Sequence, residues 1–180
     1  KDLFVARSNV IDNVELFIPR RYPEPNAVFR NLHNGRFQNV SETAGEAFQL
    51  PAAHRGAAFG DLDNDGRIDL VVSVLNGSAK VFHNTTRNDN HWILLQLKGR
   101  KNNRMGIGAR VRLTGADGVV QYNHVTTSTA YASSSDPRVH FGLGASGSAK
   151  EIQILWPSGI VQTLRNAAGD RVLEITEPAP

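Results

Sequence analysis

The sequence predicts an all-β protein, and three observations carry that expectation. Apolar and polar residues alternate in short runs along the whole chain. Turn signals built on glycine and asparagine separate those runs. No segment keeps the i, i+3, i+4, i+7 apolar spacing of a helix over three turns. Hydrophobic residues make up 40% of the 180, so a packed core is within reach and disorder is not expected.

Taken in order, the first strand segments are DLFVA (2–6), AVFRN (27–31) and RFQNV (36–40), followed by GAAFG (56–60), DLVVSVL (69–75) and AKVFHN (79–84). The second half continues with HWILLQLKG (91–99), ARVRLTG (109–115), VVQYNHVTT (119–127) and RVHFGLG (138–144). It closes with KEIQILW (150–156), IVQTL (160–164) and RVLEIT (171–176). Asn34-Gly35, Asn76-Gly77, Asp117-Gly118, Pro157-Ser158-Gly159 and Gly169-Asp170 mark the turns. SETAGEAF (41–48) makes one helical turn at most. In ARVRLTG, Ala109, Val111 and Leu113 face inward while Arg110 and Arg112 face water. In KEIQILW, Ile152, Ile154 and Trp156 share one face, with Leu155 on the other.

DLFV at 2–5 matches DLVV at 69–72, and AVFRN matches AKVFHN. Repeated β units of this kind suggest propeller blades. Asp2 is then the counterpart of Asp69, and the chain opens inside a first copy of the same motif. It starts on Lys1 with no Met, so an upstream portion is expected.

The second copy contains FGDLDNDGRIDLVV (59–72). Asp61, Asp63, Asp65 and Asp69 occupy positions 1, 3, 5 and 9 of a loop, with Gly66 at position 6 to turn the chain. Carboxylates converging on one point repel unless a cation sits among them, and a hard oxygen set suits Ca²⁺ far better than Zn²⁺. Arg67 at position 7 offers its backbone carbonyl, with its side chain pointing out. An EF-hand needs Glu at position 12; Val72 stands there, and the flanks are strands. The expected site is therefore a calcium loop in a β-turn setting, and it pins the start of strand 69–75. A merely solvated acidic turn has no need of this spacing.

Other chemistries find little support. The net charge is +3, and the basic residues are dispersed. RKNNR (100–104) is the densest patch, in a turn that reads as a solvated loop rather than a nucleic-acid footprint. No cysteine is present, which excludes disulfides and cysteine-based zinc sites. No apolar run nears the roughly 20 residues that span a bilayer. GLGASG (142–147) fits a dinucleotide-binding pattern, but a strand-like run follows it instead of the helix such a site requires. The six histidines show no metal-ligand spacing, and no catalytic set is evident, so an enzyme is not expected.

At this point a family resemblance is clear. RGAAFGDLDNDGRIDLVVSVLNGSAKVFHN (55–84) resembles an FG-GAP/VCBS-type propeller repeat, and PNAVFRNLHNGRFQNVSETAG (25–45) resembles the outer part of a neighbouring one. NHWILLQLKGRKNNRMGIGARVRL (90–113), HFGLG (140–144), ILWPSGIVQTL (154–164) and RVLEITEP (171–178) are similar to the ASPIC/UnbV domain of the cartilage acidic protein-like family. TTSTAYASSSD (126–136) departs from the family pattern, with Thr and Ser in place of a more Gly- and Gln-containing stretch. The resemblance implies calcium binding in the propeller and an extracytoplasmic setting.

The expected architecture is the C-terminal part of a β-propeller over 1–88 and a β-sandwich-like ASPIC/UnbV domain over 89–180. The expected metal set is Asp61, Asp63, Asp65, Arg67 through its carbonyl, and Asp69. The expected function is a non-catalytic, calcium-stabilised binding or scaffold module, secreted, periplasmic or at the cell surface, with a protein or glycan partner. Two alternatives stand beside it: an accessory region of a secreted enzyme, and a subunit of a larger envelope complex. The open propeller edge calls for cover by upstream residues or another chain.

Overall fold

The computed structural model describes residues 1–101 and 103–179; Asn102 of the RKNNR turn and Pro180 at the end of the second expected domain lie outside them. The protein is all-β. Among the described residues there are thirteen strands, one in each segment that alternation marks out, and two short 3₁₀ turns, Val14–Leu16 and Glu46–Gln49. The second lies within and just beyond the segment allowed a single helical turn. The first has no periodic signal to announce it.

The chain divides into two compact units. The first comprises Lys1–Phe59, Leu70–His83 and Ala130–Ser133; the second comprises Gly60–Asp69, Asn84–Thr129 and Ser134–Pro180.

The first unit is built on two small sheets. Strands β1 (Leu3–Val5), β2 (Ala27–Asn31) and β3 (Phe37–Asn39) form one; β4 (His54–Gly60), β5 (Asp69–Val74) and β6 (Lys80–Phe82) form the other, each in chain order. The two repeats share one register. Leu3 pairs with Phe29 and Leu70 with Phe82, so the sequence match is a structural one. Half-buried phenylalanines connect these strands. Phe48 lies 5.6 Å from Phe4 and stacks at 4.8 Å on Phe82, and Phe59 meets Phe4 edge-on at 6.3 Å. The Thr/Ser-rich stretch also packs here. A Cβ at Gly56 on β4 would collide with the Ser133 hydroxyl and the Tyr131 carbonyl, so the strand can approach them only as glycine.

The second unit is sandwich-like. Strands β7 (His91–Lys98), β10 (Val139–Gly144) and β13 (Arg171–Thr176) make a mixed sheet in the order β10-β7-β13, with β7 parallel to β13. Strands β8 (Arg110–Gly115), β9 (Val120–His124), β11 (Ser148–Leu155) and β12 (Val161–Ala168) make an antiparallel sheet in the order β12-β11-β8-β9. Alternate residues of both sheets enter one apolar cluster, including Ile93, Leu95, Val111, Leu113, Phe141, Ile152 and Ile154. Trp156 closes it, with its indole N–H donating to Gln162 at 2.9 Å, while the Trp156–Gly159 turn returns the chain to β12. Leu155 faces outward and is 41% exposed, as the alternation requires.

Buried Glu177 ties the end of this unit together. Its carboxylate accepts the backbone N–H of Arg100 at 2.6 Å and of Lys101 at 3.1 Å, and the Ser158 hydroxyl. The Ser158 bond first, then the two N–H bonds, hold its pKa below the usual carboxylate range.

Candidate metal centre

Residues 61–68 connect β4 to β5 and belong to the second unit. Their backbone is shaped by their own carboxylates. Asp61 accepts the N–H of Asp65 at 3.1 Å on one oxygen and of Gly66 at 2.9 Å on the other. Asp63 accepts the Asp65 N–H at 3.3 Å, and Asp65 accepts the Arg67 N–H at 2.8 Å; both are side-chain turns two residues long. Asp69 accepts the Leu62 N–H at 3.1 Å and the Asn84 N–H at 2.8 Å. Asn64 and Gly66 take positive φ, 61° and 87°, which gives the loop its tight curl.

These bonds bring oxygens of Asp61, Asp63 and Asp69 within 4.8 Å of one another. Asp61 and Asp69 are each 1% exposed, and Asp63 faces solvent. The other two expected residues behave differently. Asp65 forms an ion pair with the Arg67 guanidinium. The Arg67 side chain does not point away, as expected from the sequence; it turns back so that Nε donates to the Asn84 carbonyl at 2.7 Å. A guanidinium beside several carboxylates and a free carbonyl is more stable folded back than extended into water.

The donor set fits a calcium ion. Asp61, Asp63 and Asp69 together offer oxygen alone, with neither thiolate nor imidazole among those three. Each hydrogen-bonded oxygen of Asp61 and Asp69 keeps a lone pair for a cation. Two buried carboxylates and a third so close repel strongly, and the neutral N–H groups around them offset only part of that.

Three residues far away in sequence hold the loop, and local spacing gives no sign of them. Arg138 donates to the Asp61 carbonyl at 2.7 Å and to the Asn64 side chain at 2.6 Å, while its Nε donates to Asp136 at 2.7 Å. His140 on β10 bonds through Nε2 to the Gly66 carbonyl at 2.8 Å. A carbonyl only accepts, so that nitrogen carries the proton. Burial lowers the pKa of this ring, against the smaller opposing pull of the Gly66 bond and the Asp61 charge. Trp92 stacks on His140 at 6.5 Å, and its indole fills the space where a Cβ on residue 66 would stand. Gly66 is thus required twice, by its φ and by the ring against it.

The Asp69 clasp has a twin. Asp2 accepts the Asn31 N–H at 2.8 Å, as Asp69 accepts that of Asn84, and the Asn31 amide reaches the Lys1 carbonyl as the Asn84 amide reaches that of Ile68. Each asparagine oxygen in turn accepts the N–H two residues on, His33 or Thr86.

Two family models match parts of this chain. Residues 1–72 match the family model described as FG-GAP-like repeat, and residues 99–180 match that described as ASPIC and UnbV. The first part of the chain is thus similar to FG-GAP-like repeats and the last part to the ASPIC/UnbV domain, the two resemblances its motifs carry. It is similar to cartilage acidic protein 1 of Xenopus tropicalis, 27% identical over 168 residues, and of Homo sapiens, 26% identical over 168 residues. The matches cover 89% of this chain but 26% and 25% of those proteins, so the chain spans about a quarter of their length. No helix among the described residues is long and apolar enough to cross a membrane.

Proposed function

We propose that this chain is a non-catalytic, calcium-stabilised binding or scaffold module that works outside the cytoplasm. The observation that carries the reading is the convergence of Asp61, Asp63 and Asp69, two of them buried, in a loop clamped by Arg138 and His140. Asp65 and the Arg67 carbonyl complete the proposed ligand set. Calcium bound there neutralises the carboxylates and fixes the loop, and its role is structural. The proposed organisation assigns 1–88 to the propeller part and 89–180 to the ASPIC/UnbV part. Extracellular fluids hold calcium at millimolar levels, which suits sites with affinities of about 10⁻⁴ to 10⁻³ M. The relatives' name points to cartilage, which fits an extracytoplasmic setting. It also calls them acidic, whereas this chain carries +3. Exposed Val10, Leu16 and Phe17 in the first unit favour a neighbour that covers them.

Thermal unfolding tests the calcium reading. A site with an affinity of about 10⁻⁴ M gains roughly 2 kcal/mol in a few millimolar calcium relative to EDTA. That corresponds to about 4–8 °C in Tm for a chain of this size. Asp63→Ala, at an exposed position, abolishes the gain while leaving the EDTA melt nearly unchanged. Equal melts of the wild type in calcium and EDTA would refute the calcium reading.

A further inference from the structure

We propose that a basic groove on the second unit, which no family match assigns, binds an extended acidic peptide segment carrying apolar side chains. This rests on the binding-module reading and names its partner class. The groove has a volume of about 670 Å³ and is lined by Gln96–Arg100, Arg104, Met105, Pro137 and Arg138. Its cations differ in availability. Lys98 is paired with Glu174 at 2.7 Å, and Arg138 is committed to Asp136, Asn64 and the Asp61 carbonyl. The guanidiniums of Arg100 and Arg104 are exposed and have no carboxylate partner among the described residues. Two arginine forks beside one groove match carboxylates in the bidentate geometry that arginine favours.

Two more features select an extended peptide rather than a sulfated glycan. Met105, 49% exposed, and Pro137 give the groove an apolar wall, which a peptide side chain covers and a polyanionic sugar does not. The groove also runs beside the end of β7, where its pairing with β10 stops. On one side Leu97 pairs with Ile175 of β13. On the other, pairing with β10 ends at Leu95 and Val139, and the residue in register with Leu97 is Pro137, which has no N–H to give. Leu97 is thereby left without a β10 partner, while the next outward N–H, that of Gly99, is taken by the Arg104 carbonyl at 3.2 Å, so a bound segment gains one backbone contact beside the two arginines.

Isothermal titration of the whole chain with a short peptide alternating leucine and glutamate tests this. The wild type binds it, and a peptide alternating leucine and lysine gives no heat. Arg100→Ala with Arg104→Ala weakens binding by at least about tenfold, as loss of two charge-assisted contacts requires. Arg110→Ala, on an exposed position of β8, leaves binding unchanged. Absence of binding, equal binding by the double variant, or binding of a heparin oligosaccharide in place of the acidic peptide overturns the proposal. The calcium melt does not involve Arg100 or Arg104. A calcium-responsive protein that ignores the peptide therefore refutes the groove alone.

Discussion

The two compact units hold themselves together by different means. In the second, the apolar cluster is continuous, and Ile93, Leu95, Leu113, Ile152 and Ile154 are wholly shielded from water. In the first, the buried apolar residues are Val14, Ala27, Ala53, Ala57 and Val72, mostly small side chains, and the phenylalanines joining its sheets are only half-buried. Burial stabilises in proportion to apolar area removed from water, at about 25 cal/mol per Å². Alanine removes little area, so the first unit gains less from its own interior. It also leaves Val10 92% and Phe17 70% exposed. The lesson is that a repeat unit can have well-paired strands and still rely on neighbours for its core.

The largest expected effect tests that contrast directly. Trp156→Ala removes the biggest fully buried side chain of the second unit and costs about 3–5 kcal/mol, whereas Phe17→Ala changes stability by about 0.5 kcal/mol or less. Urea unfolding of both variants reads the difference, and similar costs would break the comparison.

A middle-sized effect separates the twin clasps. In EDTA, Asp69→Ala leaves the N–H groups of Leu62 and Asn84 without their acceptor beside a buried carboxylate site and costs about 1–3 kcal/mol. Asp2 is exposed and accepts from Asn31, so Asp2→Ala costs about 0.5–1 kcal/mol. Matching losses would mean that burial does not distinguish the two copies.

The smallest effect is a slope. Folding lowers the pKa of Glu177 below its ordinary 4.5. A carboxylate so shifted adds stability that is complete above the unfolded value and is lost as pH falls through the folded one. Wild type and Glu177→Gln should therefore converge in stability as pH drops below about 4.5. Parallel pH profiles for the two proteins would show that Glu177 does not set the acid limit of the second unit.

Legibility from sequence followed distance along the chain. The strands were readable because alternation is local, and so was the repeat, whose shared Leu–Phe register follows from matched tetrapeptides. The carboxylate loop was readable because its aspartate spacing is contained in nine residues, Asp61 to Asp69. Arg138, His140 and Trp92 were not, since each meets the loop only through the folding of distant strands. His140 lies in a strand segment whose sequence gives no sign of its partner, the Gly66 carbonyl. Glu177 carried no local sign at all, because its partners come from the 100–101 turn and from Ser158.

The chain has two tryptophans, and the fold has given them unlike surroundings. Trp156 is sealed in the core, while Trp92 lies half-buried with its indole against Gly66. Their emission therefore divides the molecule into two optical channels. One follows the sandwich interior, and the other follows the carboxylate loop, so the loop carries a native reporter whose colour and quenching change when the turn loosens. A Trp156→Phe protein would isolate that signal and let loop order be watched without any attached dye.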